Sequence, residues 1–415
     1  MLKIAFWFDA PIEYSGGLNY IKNLLHALSL VNDGTVQPYV FFAKDVPDDL
    51  ERQFAPYATV VRTQLLQRRT VPWFIHKVLY RAFHSMALVN ALLTSHGIDL
   101  ISHVWFVYKG SPPFKIISWI PDFQYLHLPG LFPNLDATQE TRTNQKIIAQ
   151  SDAVILSSND AFEDFRRLAL PGQEARGTVL RFVSQPGSAV PTSTLTMESI
   201  EQKYLFRGRY FLLPNQFWAH KNHMVVLQAV AKLKQSGTDV LVLCTGNTKD
   251  YRLNGNPYIN SVRSFMDSNS LHDHVRILGL IDYSDVLFLM RHSIAVINPS
   301  CFEGWSSSVE EAKSMGKPVI LSRIGVHVEQ NPAKGHYFDP DDAVELSGIL
   351  ARTWISSSDN TSHAEVEQSA RNALHERTLA FGNAYLRLLQ GVARGEGLET
   401  VEGGRGATKI NLLAE

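Results

Sequence analysis

Residues 293–332 constrain this chain more than any other stretch. Residues 294–298 and 318–321 are apolar runs too short for helices. Between them, 306–315 reads as a helix, with serines at its start and Gly316 just past its end. Strand, loop, helix, strand is a βαβ unit, which demands a parallel sheet and puts the ligand side at the loop leaving the first strand. That loop carries Glu303-Gly304-Trp305, and Glu311 stands in the helix beyond it. A helix start offers N–H groups and the positive end of a dipole, a seat for a diphosphate. Carboxylates on either side can accept hydrogen bonds from sugar hydroxyls. Read alone, Glu310 and Glu311 serve equally well as acids that complement the dipole.

The same alternation runs through the chain. Strands are expected at 3–8, 38–43, 59–63, 99–105, 115–120, 153–157 and 178–183, with helices at 18–31, 71–95, 138–150 and 159–168. After a stretch rich in Pro, Ser and Thr, strands recur at 210–213, 240–244 and 275–278, and a last helix at 370–392. Strands alternating with helices imply α/β layers with both sheet faces covered. The chain divides into a first domain (1–184), a linker (185–205), a second domain (206–375), a terminal helix (376–394) and a glycine-rich tail (395–415) expected to be disordered. The 415 residues leave room for two or three domains.

A net charge of −1 speaks against a general nucleic-acid binder. Cys244 and Cys301 are the only cysteines, which fits a reducing cytoplasm rather than a disulfide framework. The first residues carry early acids and no long apolar core, and no apolar run is long enough to span a bilayer. Gly16-Gly17, between the first strand and helix, lets backbone approach a ligand, or makes a plain tight turn. Asp122 stands where strand 115–120 gives way to a loop, the side expected to face a cleft. Lys221 falls at an expected helix start, where a cation opposes the dipole and points to an anion nearby.

Glu303, seven residues, Glu311-Ala312, then Gly316-Lys317-Pro318-Val319 resembles the signature of retaining glycosyltransferases of family 4, in a bacterial branch that builds surface polysaccharides such as lipopolysaccharide. The resemblance implies the B-type fold: two Rossmann-like domains with parallel sheets facing across a cleft. It implies that Glu311 holds the donor ribose, Glu303 the transferred sugar, and the N–H groups of Gly304, Trp305 and Ser306 the sugar and phosphates. Lys221 matches the family's phosphate-gripping lysine. Gln216 stands where the family has an arginine, and Arg323 or His220 would have to compensate. Gly246 and Gly17 would border the donor, and Gly16 and His127 the acceptor. Asp122 would be catalytic; Pro121 precedes it where many members have a histidine.

The activity so implied is transfer of a hexose, of mannose or rhamnose type, from a nucleotide diphosphate sugar to a saccharide or lipid-linked acceptor. No cofactor and no metal is expected. The alternatives are an epimerase of the same fold and a non-catalytic scaffold. Lys221 and Glu303 are expected to act on rate more than on folding. Peripheral contact with an anionic membrane is expected from residues 52–98, which hold no acid. They carry Arg52, Arg62, Arg68, Arg69, Lys77 and Arg81, with Trp73, Phe74, Tyr80 and Phe83 interleaved.

Overall fold

The computed structural model describes residues 1–9, 15–133, 135–186, 195–250, 256–356 and 363–396. Part of the expected linker and nearly all of the expected tail lie outside them. In the first half, the elements run β1 (Leu2–Trp7), α1 (Ser15–Val31), β2 (Val36–Ala43), α2 (Asp48–Phe54), β3 (Thr59–Thr63), α3 (Val71–Ala82) and α4 (Ala87–Ser95). They continue with β4 (Leu100–Val104), β5 (Lys115–Ile120), α5 (Gln124–His127), α6 (Ala137–Gln150), β6 (Ala153–Leu156), α7 (Asn159–Leu168) and β7 (Gly177–Val179). The sheet order is β3-β2-β1-β4-β5-β6-β7, with every pair parallel.

The second half runs α8 (Met197–Tyr204), β8 (Phe211–Pro214), α9 (His223–Gln235), β9 (Val242–Thr245), α10 (Pro257–Ser268), β10 (Val275–Gly279) and α11 (Tyr283–His292). Then come β11 (Val296–Asn298), α12 (Ser307–Ser314), β12 (Val319–Ser322), α13 (Gly325–Gln330), β13 (Gly335–Phe338), α14 (Ala343–Ser356) and α15 (His363–Arg394). Its sheet order is β10-β9-β8-β11-β12-β13, again parallel. These are two doubly wound α/β sheets, as expected.

Local chemistry explains the boundaries. Asp136 accepts from the N–H groups of Thr138 and Gln139 to start α6, and Ser158 accepts from Ala161 to start α7. The helix expected over 71–95 is two. His84 takes a left-handed φ of 48° between them. The central strands are buried on both faces, so they read as continuous apolar runs. β4 breaks its register against β5 between Ile101 and Val104, around His103 at φ 60°. The bulge turns the chain at the end of β4.

Helix α15 belongs to both halves. Its Phe381, Tyr385, Leu388, Leu389 and Val392 complete the first domain's core against α1. A Cβ on Gly382 would lie 2.3 Å from the Ala27 carbonyl oxygen, so only glycine lets the two helices approach this closely.

Candidate functional site

The C-terminal ends of the two sheets meet at residues 300–306. β11 ends in Asn298, which is fully buried. Its side-chain amide donates to Ser306 Oγ at 2.8 Å, to Ser308 Oγ at 3.2 Å and to Glu303 Oε1 at 3.4 Å. Its oxygen accepts from Asn215 Nδ2 at 3.0 Å and from Ser300 Oγ at 2.7 Å. Buried polar groups are stable only when paired, and this cluster pairs them across β8, β11 and α12.

Glu303 is held by that cluster. Lys221 Nζ donates to both of its oxygens at 2.7 Å, and Ser300 Oγ donates to Oε1 at 2.7 Å. Burial alone pushes the Glu303 carboxyl up, but the Lys221 charge, His327 and Ser300 bring it down to about 2. Glu303 is ionised at neutral pH. Lys221 lies at the end of a one-turn 3-10 helix (Ala219–Lys221), before α9 and not at its start. Both side chains are largely buried, 14% and 8% exposed. Removing one would strand the other's charge, so both residues are expected to bear on folding as well as on rate.

Gly304 presses against the first domain. A Cβ there would lie 2.8 Å from both Asp122 Oδ2 and the Pro121 carbonyl oxygen. Asp122 accepts from Gln124 N–H at 3.0 Å. Burial raises its pKa; the Gln124 N–H opposes this and the neighbouring Glu303 charge adds to it. Two carboxylates from opposite sheets thus flank one glycine, with Lys221 bound to one of them.

Helix α12 begins beside this glycine without a side-chain cap, because Ser306 Oγ is taken up by Asn298. Its mouth keeps its N–H groups and dipole for an anion. Glu311, one turn inside, is buried and accepts from Tyr283 Oη at 2.7 Å. Burial pushes its pKa up to about 7 against the pull of that hydrogen bond.

The other expected residues fall into three kinds of place. The Trp305 indole donates to the Phe182 carbonyl at 3.0 Å and packs against the first domain's core, so it anchors one sheet to the other. Gln216 accepts from Asn247 N–H at 2.5 Å, closing its own loop. Gly246, at φ 136°, is there because a Cβ would meet the Asn215 carbonyl at 2.3 Å. Gly16 and Gly17 lie in the first turn of α1, which begins three residues earlier than expected, and a Cβ on Gly16 would meet open space. His127 pairs with Asp164 at 2.6 Å and faces Phe302 with ring centroids 5.1 Å apart. Of the two suggested stand-ins for an arginine at 216, His220 is buried and Arg323 lies over the Tyr337 ring at 5.7 Å.

Asn298, Ser300, Ser308, Tyr283 and His327 were not expected at the site. An asparagine closing an apolar strand at the ligand edge is the one signal that could have found Asn298. His327 is fully buried. Its Nδ1 lies 2.9 Å from the Ser322 carbonyl, while Nε2 has no partner among the described residues. Burial lowers its pKa, and the Glu303 charge opposes that.

Residues 197–370 match the family model of glycosyl transferases group 1. Over 161 residues the chain is 27% identical to the O-antigen chain mannosyltransferase RfbU of Salmonella typhimurium, covering 38% of this chain and 42% of that relative. The chain thus spans about two fifths of the length of the curated relative it matches. Sucrose-phosphate synthase from Thermosynechococcus elongatus superposes with a TM-score of 0.66 at 17% identity, over 94% of this chain and 100% of that one. Anabaena Alr3699/HepE in complex with UDP superposes with a TM-score of 0.63 at 15% identity, over 94% and 100%.

Proposed function

We propose that this chain, which carries a glycosyl transferases group 1 domain on the B-type two-domain fold, transfers a hexose from a nucleotide diphosphate sugar to a saccharide or lipid-linked acceptor. The observation that carries the reading is the junction at Gly304. There the Glu303–Lys221 pair, Asp122 and the uncapped mouth of α12 converge from two sheets. A diphosphate at that mouth faces N–H groups and the Lys221 ammonium, which stabilise the charge that develops as it leaves. Glu303, ionised and fixed by four hydrogen bonds from Lys221, Asn298 and Ser300, orients the hydroxyls of the transferred sugar. Glu311 accepts from the ribose after exchanging its Tyr283 hydrogen bond.

Glu303 is held by Lys221 and Asp122 lies against Gly304, an arrangement that favours neither as a nucleophile. The transfer we propose is therefore front-side, with retention, the leaving phosphate taking the acceptor's proton. The relative's O-antigen mannosyl role favours mannose and surface polysaccharide for this chain. Incubation with GDP-mannose, dTDP-rhamnose and UDP-glucose tests the reading. The expected outcome is slow, stereochemically retained hydrolysis of one donor, abolished in Glu303→Gln. Inversion at the anomeric carbon would refute retention, and an epimerised free donor would favour the epimerase.

The second part of the proposal is a lipid-linked acceptor reached from an anionic membrane surface. Helix α3 exposes Val71, Phe74, Ile75 and Val78 along one stripe, with Phe83 just beyond. Of the six cations in the acid-free stretch, Arg52, Arg62 and Lys77 pair with Asp49, Glu51 and Asp9. Arg68, Arg69 and Arg81 have no carboxylate partner among the described residues, so the patch is half as basic as its composition implied. An apolar stripe beside unpaired arginines suits a lipid interface. No helix of the described residues is long and apolar enough to cross a membrane.

A further inference from the structure

Beneath α3, on the same sheet edge as Asp122, lies a cavity of about 150 Å³. Its walls are aromatic: Trp7 from the end of β1, Trp105 and Phe106 from the bulged end of β4, and Tyr80 from α3. Its polar members are the Asp9–Lys77 pair, 3.0 Å apart, and His76. His76 is 4% exposed, and its Nδ1 has no hydrogen-bond partner among the described residues. Trp105 is 49% exposed. A cavity of about 150 Å³ accepts one six-membered ring.

We propose that this cavity is a binding subsite for one neutral pyranose ring of the acceptor, with the ring against Trp105 and a hydroxyl on His76 Nδ1 after the imidazole turns toward it. The argument has three steps. An unpaired, buried polar atom costs free energy unless a ligand or water completes it. The Asp9 and Lys77 charges cancel, and burial lowers the pKa of His76 and keeps it neutral, so the site suits hydroxyls and disfavours an anion. Aromatic walls with a few converging polar groups are the general make-up of a small-molecule site.

Position supports the same ligand. In the sheet, β4 alone separates β1 from β5. Two strand spacings set Asp9 about 10 Å from Asp122, so a ring in the cavity stands a short saccharide's length from Gly304. The helix that roofs the cavity turns Phe74, Ile75 and Val78 to the outside and His76, Lys77 and Tyr80 to the inside. One helix thus meets the apolar and the sugar portions of a single glycolipid. This assignment rests on the transfer reading above for its acceptor role.

The test titrates the full chain with octyl α-mannoside, octyl α-rhamnoside and octyl β-glucoside, each below its micelle-forming concentration, and separately with inorganic phosphate. Binding is read by saturation-transfer NMR. UDP, GDP and dTDP are titrated in parallel. At least one glycoside should bind, at least tenfold weaker in Trp105→Ala and in His76→Phe, with nucleotide affinity unchanged. Trp105 is half exposed, so Trp105→Ala carries the test if His76→Phe does not fold. Binding untouched by Trp105→Ala overturns the site, as does phosphate competing with the glycoside, or nucleotide binding with none of the three glycosides. Glycoside binding without any nucleotide binding would instead overturn the transfer reading and leave the saccharide site standing.

Discussion

The two edges that face each other across the cleft are built in opposite ways. On the second domain, Asn298, Ser300, Ser306 and Ser308 tie Glu303 into a buried network with Lys221. On the first domain, His76 keeps a nitrogen without a partner among the described residues, Trp105 is half exposed and α3 turns an apolar stripe outward. A network satisfied before any ligand arrives costs no reorganisation when charge develops, which is the requirement for stabilising a leaving diphosphate. An edge with unfilled partners gains its missing contacts from the ligand, which suits recognition of a particular acceptor.

If the second edge is a pre-organised charge pair, breaking it carries the largest effect. Lys221→Ala should destabilise the fold by about 3–5 kcal/mol, because it leaves Glu303 buried and unpaired. Turnover should fall at least tenfold as well. Urea unfolding of Lys221→Met, Glu303→Gln and the double variant checks this, and the double variant should recover most of the loss. Single variants as stable as the wild type would show that the edge is not pre-organised.

Glu311 adds a pH dependence. Its folded pKa of about 7 lies above the ordinary value of 4.5, so folding tightens its hold on a proton. The resulting stability is whole below about pH 4.5 and is lost as pH rises through about 7. At 1.36 kcal/mol per unit, Glu311→Gln should gain about 3 kcal/mol on wild type between pH 4.5 and pH 8. Unfolding curves at the two pH values report the difference. Glu311→Ala should weaken nucleotide binding by about 1.5–3 kcal/mol, read by calorimetry; unchanged affinity would remove Glu311 from the donor site.

On the first edge, reversing Arg68, Arg69 and Arg81 to Glu should cost at least about 3 kcal/mol, a hundredfold or more, in binding to anionic vesicles. Co-sedimentation at low salt reports it, and neutral vesicles provide the control. The smallest effect expected is that of EDTA, namely none, with Lys221 and the mouth of α12 neutralising the diphosphate. Asp339 and Asp341 do stand one residue apart after β13, but Asp339 Oδ1 accepts from Asp341 N–H at 3.0 Å as a turn. Activity lost to EDTA and restored by manganese would overturn metal independence.

The alternation of apolar runs made both sheets legible, since buried parallel strands cannot hide their composition. Five helices and one strand were not read: α2, α5, α8, α13, α14 and β13. α8 begins with a capping box whose third helical residue is Ser199 in place of the usual Glu or Gln. α13 is only six residues long. β13 and α14 follow it; the loops around β13, 331–334 and 339–342, are rich in turn residues, but the strand between them is only four residues long and half-exposed. At the site, residue types were visible but their partners were not. Glu329 accepts from Asn159 N–H and from Arg181 Nε, 170 and 148 positions away, and no local pattern announces such contacts. Trp305 was read for its backbone N–H; that its indole reaches the Phe182 carbonyl, far away in sequence, is a contact of the same unannounced kind.

Helix α15 has a consequence for how the chain comes to be folded during synthesis. A domain made first on the ribosome ordinarily folds first. Here five side chains of the first domain's core, from Phe381 to Val392, are translated after the whole second sheet. Until they arrive, the α1 surface that includes Leu24, Leu25 and Leu28 lacks its cover. The second sheet, whose strands all precede Gly382, can close while the first still waits. The order of completion therefore runs against the order of synthesis, and the nascent first half is the species a chaperone would meet.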